Sequence, residues 1–196
     1  MKNIWIKSLL VAAILCPISV YLHELGHWII YELNGIDSWI SLQRVILIDP
    51  EQVTESIFLK SLFGGPIVTI LLALSSYLLL TKYQVSLWLM VLGLINASLR
   101  ILPTIVGSIK SFNTENLSGY SDEGNIALRI TDSVFLREIL MLMLLGLYIF
   151  FIIKLYKTFN FPEDMKIKKL FIVMICILPV FISMILPKLD FLVFGV

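Results

Sequence analysis

Five long apolar runs dominate this sequence, and each approaches or exceeds the length that crosses a lipid bilayer. A membrane-spanning helix needs about 20 mainly apolar residues. The runs lie at about residues 4–33, 57–80, 86–106, 135–156 and 170–186. The chain has 196 residues, of which 59% are hydrophobic and only 15% charged, and a soluble protein of this size has no way to cover so much apolar surface. The sequence therefore predicts an all-α polytopic membrane protein with about five transmembrane helices.

The segment between the first two runs has a different character. Residues 36–48 alternate imperfectly between apolar and polar side chains and are rich in β-branched and aromatic residues. Asp49 and Pro50 then break the pattern. We expect a short interfacial β-strand or hairpin near 36–48 that rests on protein or water, because an open strand edge is unstable in lipid.

Charge and cysteine content bear on the partners and the compartment. The net charge is only +1, so the sequence implies no nucleic-acid partner. Cys16 and Cys176 both lie in apolar runs, which favours a packing role over a disulfide framework. We expect a multi-pass integral membrane protein of the plasma membrane, with the lipid bilayer around it.

The first apolar run contains the pattern His23-Glu24-Leu25-Gly26-His27, which uses both histidines of the chain. On a helix, His23 and His27 lie one turn apart on one face. Two imidazoles at this spacing can bind one Zn²⁺, and Glu24 can act as a base toward an attacking water. The alternative is a pair of buried histidines that form hydrogen bonds between helices. An ionisable Glu24 inside a span is costly and normally functional, which favours the metal site.

A catalytic zinc ion usually has three protein ligands, so this pattern needs one more. No histidine remains and the cysteines are poorly placed, which leaves a carboxylate. Glu32 lies on a different helix face, and four other acidic residues are in ordinary loop contexts: Asp37, Asp49, Glu51 and Glu55. Asp122 is the best candidate, because it lies in a turn-rich sequence after the third run. The second and third runs form a pair, so the polar segment 107–133 returns to the side of the membrane where the first run ends.

In this order, the sequence elements resemble the site-2 protease family of intramembrane zinc metallopeptidases. The elements that carry the resemblance are His23-Glu24-Leu25-Gly26-His27 in a membrane helix, Gly65-Pro66 in the next span, Asn96 and Leu102-Pro103 in the third, and then Ser121-Asp122 and Gly124. The resemblance covers roughly residues 15–130. It implies a single membrane-embedded metallopeptidase domain over 1–196, with a core at about 4–130 and additional helices at about 135–156 and 170–186.

The resemblance also implies a ligand set and an activity. One Zn²⁺ per chain is expected to bind His23, His27 and Asp122, with Glu24 as the catalytic base. Asn96 is expected near the site as a second catalytic residue, where it can donate to the substrate oxyanion. The implied reaction is hydrolysis of peptide bonds in or near transmembrane segments, and the implied partner is a membrane-bound peptide or single-span protein.

Two departures from the family pattern leave alternatives open. The family's G-P-x-x-N element has asparagine where this chain has Thr69, and Glu123 is inserted between Asp122 and Gly124. Glu123 is therefore a rival metal ligand. Asn96 is alternatively an interhelical hydrogen-bonding residue. Arg100 is expected to bind a substrate carboxylate, to neutralise a carboxylate near the metal, or simply to extend its charge to the membrane surface.

Two other functions compete with the peptidase. One is a membrane zinc-binding protein without proteolytic activity, acting as a maturation or immunity partner. The other is a metal transporter, although the spans lack a chain of further polar ligands. Glu24 favours the enzyme, because a purely structural zinc site does not need a base.

Overall fold

The computed structural model describes residues 2–111, 121–160 and 168–195. Within these ranges the chain forms seven α-helices and one two-stranded antiparallel sheet. The elements are, in chain order, α1 (Lys2–Leu33), β1 (Ser38–Ile40), β2 (Val45–Leu47), α2 (Glu55–Lys82), α3 (Leu87–Ser98), α4 (Ile101–Ser111), α5 (Asp122–Ile130), α6 (Val134–Thr158) and α7 (Lys168–Phe194), with a short 3-10 helix at Pro50–Gln52. The predicted all-α fold with a small hairpin near 36–48 is confirmed.

Among the described residues, five helical stretches are long and apolar enough to cross a membrane. They are Trp5–Leu33, Glu55–Lys82, Leu87–Ile109, Val134–Thr158 and Phe171–Phe194. Large apolar side chains also face outward along these helices, and Leu142, Met143 and Leu192 are each more than 60% exposed. Such surfaces suit a lipid environment and indicate a membrane protein.

The third apolar run is broken into two helices. α3 ends at Ser98, residues 99 and 100 form a turn, and α4 begins at Ile101. Pro103 favours the break, because it has no N–H to bond the carbonyl four residues earlier and so cannot continue the hydrogen-bond pattern of α3. Helix α7, which corresponds to the fifth predicted span, also continues beyond the predicted end at 186, through Pro187 to Phe194.

The polar segment 107–133 contains helical structure among its described residues. α4 extends to Ser111, and a further helix, α5, covers Asp122–Ile130. Residues 112–120 lie outside the described residues. α5 begins where it does because the Ser121 hydroxyl accepts a hydrogen bond from the Gly124 N–H at 3.0 Å, which satisfies one of the free amides at the helix start. Asp122 therefore occupies the first turn of a helix, where an acidic side chain is favoured.

The bundle has two ends of different composition, which we call the apolar end and the polar end. The apolar end is a cluster of buried hydrophobic side chains: Val11, Ala12, Cys16, Leu80, Met90, Val91, Leu94, Ile95, Leu155, Phe159, Phe171, Ile172 and Ile175. The polar end is formed by the second half of α1, the first half of α2, α4 and α5. Cys16 packs at the apolar end, as predicted.

Two glycines bring α1 and α2 into backbone contact at the polar end. A Cβ on Gly26 would overlap the carbonyl of Gly64, and a Cβ on Gly64 would overlap that of Gly26. Small residues allow this close approach between membrane helices. As a result, α2 lies directly against the face of α1 that carries the two histidines.

The hairpin is held at the polar end from two sides. The Trp28 indole N–H on α1 donates to the carbonyl of Ser38 at 3.3 Å. On α7, the fully buried Asp190 carboxylate accepts from the Ser41 hydroxyl at 2.7 Å and from the Leu42 N–H at 2.8 Å. The extension of α7 beyond 186 thus carries the residue that fixes the turn of the hairpin.

Candidate metal centre

The two histidines of α1 meet at one point beside α2. They are four residues apart in a continuous helix, both are buried, and their Nε2 atoms are 3.2 Å apart. The Nδ1 atom of His27 lies 2.6 Å from the Ser61 carbonyl oxygen. A carbonyl only accepts, so Nδ1 is the donor and the Nε2 lone pair is directed at His23. Such a hydrogen bond from the second ring nitrogen is typical of metal-binding histidines.

Asp122 brings the third ligand atom to the same point. Its Oδ2 atom lies 3.0 Å from His23 Nε2 and 3.5 Å from His27 Nε2. Tetrahedral zinc with bond lengths near 2.0–2.1 Å separates its ligand atoms by about 3.3 Å. The three observed separations bracket that value, so the group His23, His27 and Asp122 can hold one metal ion.

Gly65 on α2 gives an independent test of the fit. A Cβ on this residue would overlap the Nε2 atoms of both His23 and His27. The absence of a side chain at Gly65 therefore lets α2 pack directly against both Nε2 atoms without displacing them. A larger residue here would disturb the two nitrogens that a bound ion needs, and the sequence element Gly65-Pro66 avoids this.

Asp122 remains ionised in this setting. Burial opposes the charge on its carboxyl, but the Arg100 guanidinium outweighs this effect and holds the pKa of Asp122 well below its usual range. The Arg100 Nη2 atom donates to Asp122 Oδ2 at 2.8 Å. Asp122 is therefore in the charged form that a metal ligand must have.

Glu123, the rival ligand, has another partner. It is fully buried, and its two oxygens accept from Arg100 Nε at 2.7 Å and Nη2 at 2.5 Å. The Tyr148 hydroxyl of α6 donates to Glu123 Oε1 at 3.1 Å. Consecutive residues of a helix point about 100° apart, so Asp122 faces the histidines while Glu123 faces Arg100 and α6.

Arg100 accordingly neutralises carboxylates near the metal centre, which was one of its three predicted roles. Its side chain is only 12% exposed, so it does not extend to the membrane surface. The turn between α3 and α4 places it there. Sequence reasoning missed Tyr148 altogether, because a single tyrosine in the apolar run of α6 gives no signal of its own.

Glu24 lines two cavities. One cavity, of about 320 Å³, is lined by His23, Glu24, Thr69, Arg100 and mostly apolar residues of α1, α4 and α7. The other, of about 330 Å³, is lined by Glu24, His27, Asp122 and the hairpin residues Arg44, Val45 and Leu47, among others. We call them the α7 cavity and the hairpin cavity. Glu24 is not one of the three ligand residues and is free to act on a group in either cavity.

Asn96 is fully buried and contacts α1. Its amide nitrogen donates to the Ser19 hydroxyl at 3.0 Å and to the Leu92 carbonyl at 2.9 Å. Ser19 precedes His23 by one turn of α1. Asn96 is not among the residues that line either of the two cavities at Glu24. Its catalytic role stays a prediction, and the interhelical hydrogen bond to Ser19 matches its alternative role.

Thr69 lines the α7 cavity together with His23 and Glu24. Its hydroxyl donates to the Pro66 carbonyl at 2.9 Å. The residue that departs from the family pattern therefore lies beside the candidate base and satisfies a backbone carbonyl of α2.

The chain matches no family model, no curated protein and no solved structure at a significant level. The resemblance to site-2 proteases therefore stays a prediction from the sequence elements quoted above.

Proposed function

We propose that this chain is an intramembrane zinc endopeptidase similar to the site-2 proteases. The observation that supports it most is that Glu24 lines two cavities, one together with His23 and the other together with His27 and Asp122, the three residues whose ligand atoms are spaced for one ion. A structural metal site needs neither a free carboxylate nor adjoining space. A hydrolytic site needs both.

Zinc is the ion that best suits this ligand set. Two imidazole nitrogens and one carboxylate oxygen are typical of catalytic zinc, which keeps one coordination position open. When bound by His23, His27 and Asp122, the ion lowers the pKa of a water molecule and polarises the scissile carbonyl. One Zn²⁺ per chain is expected, because the described residues contain a single such group.

Glu24 carries the proton through the reaction. As the water oxygen forms a bond to the peptide carbonyl carbon, Glu24 accepts a proton from that water. The C–N bond then breaks, and Glu24 returns the proton to the leaving amine nitrogen. The products are a carboxylic acid and an amine, which ionise to a carboxylate and an ammonium, and Glu24 is regenerated. The mostly apolar wall of the α7 cavity limits bulk water around this exchange.

The substrate is a membrane-bound peptide or single-span protein that binds in extended form along β2. A helical substrate hides its carbonyls in backbone hydrogen bonds, so it must unwind before attack. Val45 and Leu47 line the hairpin cavity beside Glu24. Backbone hydrogen bonds join Ser41 to Arg44 and Ile48 to Asp37 across the hairpin. Hydrogen-bonded and non-hydrogen-bonded pairs alternate along an antiparallel ladder, so the N–H and C=O groups of Val45 and Leu47 point away from β1. An extended peptide can pair with this edge.

The proposed location is a cellular membrane, with the plasma membrane as the expected one. His23, Glu24 and His27 lie within the span Trp5–Leu33. A peptidase with its base inside a span acts on substrates that share the same bilayer, which accounts for the choice of a membrane-bound substrate.

The deciding experiment compares the purified wild type with Glu24→Gln on a panel of membrane-segment peptides in lipid. We expect one zinc per chain in both forms and a loss of cleavage of about 10²–10⁴-fold in the variant, the usual contribution of a general base. Glu32→Gln is the matched control. Glu32 lies on the same helix, is exposed and accepts from the Ser38 hydroxyl, so its loss should leave cleavage near the wild-type rate.

Two results contradict the peptidase. Equal cleavage by wild type and Glu24→Gln shows that the cleavage does not depend on Glu24 and comes from a different residue or a contaminating protease. Zinc binding without cleavage across the panel favours the alternative, a non-proteolytic zinc-binding maturation or immunity partner.

A further inference from the structure

Arg100 directs one nitrogen of its guanidinium at the metal centre. Nε and Nη2 bind the two oxygens of Glu123, and Nη2 also binds Asp122. The remaining nitrogen, Nη1, lies 3.3 Å from His23 Nε2. Arg100 also lines the α7 cavity with Glu24. One edge of the guanidinium is thus fixed by a carboxylate, and its other nitrogen faces a ligand atom.

The atom that Nη1 approaches is a candidate metal ligand. A guanidinium nitrogen can only donate, so Nη1 bonds to His23 only in the tautomer with a lone pair on Nε2, whereas the closer Asp122 Oδ2 atom, at 3.0 Å, can pair only with Nε2–H. An ion bound to His23 would take the Nε2 lone pair in either case. The Nη1–H group would then have no acceptor on His23 and would remain beside the cavity that Glu24 lines. A buried, charged donor without a partner is then ready for an oxygen of the substrate.

We propose that Arg100 is a catalytic residue, whose Nη1–H donates a hydrogen bond to the scissile carbonyl oxygen as it becomes an oxyanion. This inference rests on the peptidase function proposed above. A charge-assisted donor fixed before the reaction is an effective way to stabilise an oxyanion. The sequence assigned that role to Asn96, but both amide hydrogens of Asn96 have acceptors in Ser19 and Leu92.

Glu123 and Tyr148 are the positioning residues of this donor. Both are fully buried, and the Tyr148 hydroxyl fixes Glu123, which in turn binds two nitrogens of Arg100. A planar guanidinium bound through two nitrogens has one fixed orientation. The inserted Glu123, a departure from the family pattern, thus has its partner in Arg100. Burying such an ion pair in a membrane bundle is costly and is normally retained for a function.

The proton balance of the hydrolysis is unchanged by this role. Arg100 stays protonated throughout and only donates a hydrogen bond. Glu24 alone accepts the proton of water and returns it to the amine nitrogen.

The test removes the donor together with its buried partner Glu123. The double variant Arg100→Gln/Glu123→Gln replaces both charged groups with neutral amides, and Asp122, which also loses its bond to Arg100, then has the zinc ion as its counter-charge. Its matched control is Arg129→Gln/Glu55→Gln, which removes the other Arg–Glu pair that binds α5, at 2.5 Å and on the exposed side of the bundle. Bound zinc is counted in each protein, and kcat and KM are measured on a membrane-segment peptide that the wild type cleaves.

We expect the Arg100 and Glu123 double variant to keep one zinc per chain and an unchanged KM, and to lose about 10²–10³-fold in kcat. Tyr148→Phe keeps the ion pair and should lose about tenfold. The Arg129 and Glu55 control should retain wild-type values. A phosphinic peptide, which mimics the tetrahedral intermediate, should bind the double variant more weakly by the same factor as the loss in kcat/KM.

Three results overturn the role of Arg100. Full zinc with kcat near the wild-type value shows that Nη1 is not needed. A higher KM with unchanged kcat assigns Arg100 to substrate binding, and loss of zinc assigns it to assembly of the metal site. Failure of the peptidase itself gives a different result, because the wild type then cleaves no peptide of the panel. In that case the affinity for the phosphinic peptide is compared between the zinc-loaded wild type and the zinc-loaded double variant. Equal affinity, or no binding by either protein, rejects the role of Arg100.

Discussion

The two ends of the helix bundle share the same helices but differ in what holds them together. At the apolar end, buried side chains such as Leu94 and Leu155 touch through methyl groups, which make no directional demand. At the polar end, charged and aromatic side chains such as Arg100 and His27 are held by hydrogen bonds of defined direction and length. The comparison teaches that side chains at the apolar end can move to accommodate an added methyl group, whereas the atoms at the polar end are fixed by their hydrogen bonds.

Two glycines make this difference measurable. A Cβ on Gly93, at the apolar end, would meet the terminal methyl groups of Leu155 at 2.8 Å, and these can move by rotation. A Cβ on Gly65, at the polar end, would meet the Nε2 atoms of His23 and His27. These imidazoles have no such freedom, because their ring nitrogens are the proposed zinc ligands.

The largest expected effect is the loss of metal binding in Gly65→Ala. The added methyl group fills the space between the two imidazoles, so we expect zinc to fall from one per chain to near zero, and cleavage with it. Gly93→Ala is the control, with zinc and cleavage retained and the free energy of unfolding lowered by about 1–3 kcal/mol. Metal analysis of both purified proteins checks this. Full zinc in Gly65→Ala would show that the ion lies elsewhere.

The second expected effect is a loss of stability without a loss of metal, in Leu94→Ala. Leu94 is fully buried at the apolar end. Truncation of such a side chain removes its contacts and leaves a cavity, which costs about 2–5 kcal/mol. Unfolding in mixed micelles measures the cost, and zinc per folded chain should remain at one. A fall in zinc would mean that the two ends are coupled and that the comparison fails.

The apolar end was the easier part to predict from the sequence. Long apolar runs specify spanning helices by length alone, and side chains such as Cys16 and Leu94 need only to be apolar to pack. The break after Ser98 was missed, because Pro103 lies in a run whose hydropathy stays high on both sides. The end of α7 was also missed, since the contact of Asp190 with Ser41 and Leu42 joins residues about 150 positions apart.

The polar end was predictable where its residues are close in sequence. His23, Glu24 and His27 belong to one helix, so their spacing fixes their geometry. Asp122 was reached by following the membrane crossings and by its polar setting. The choice between Asp122 and Glu123 was not available from the sequence, because it depends on the rotation of α5, and that rotation is set by the cap at Ser121 and by partners on α4 and α6.

A smaller effect, on kcat/KM, is expected at strand β2 of the hairpin, which forms the outer edge of the polar end. Val45→Pro removes an N–H group that points away from β1 and toward the proposed substrate strand. One hydrogen bond contributes about 1 kcal/mol, so we expect about a fivefold loss in kcat/KM, mainly through KM, with zinc unchanged. Val45→Ala keeps the N–H group and should cleave at close to the wild-type rate.

Ile46→Pro makes the same substitution at the neighbouring residue, whose N–H group points toward β1. Ile46 pairs with Trp39, so its proline variant breaks a bond within the hairpin. It should therefore reduce cleavage at least as strongly as Val45→Pro and also lower stability. An unchanged kcat/KM in Val45→Pro would remove the proposed pairing of substrate with β2.

The smallest expected effect is a gain in stability from Gly146→Ala. This variant measures the entropic cost of a helical glycine at a position where close packing does not require one. Gly146 lies in the exposed middle of α6, and a Cβ there meets no described atom within 4 Å. Alanine in a helix interior is favoured over glycine by about 0.5–1 kcal/mol, because it loses less backbone entropy. The same substitution that empties the metal centre at Gly65 should thus leave zinc intact at Gly146 and slightly raise the free energy of unfolding. A loss of stability at Gly146 would mean that another helix packs on this face of α6, since only a close neighbour makes glycine preferable to alanine at such a position.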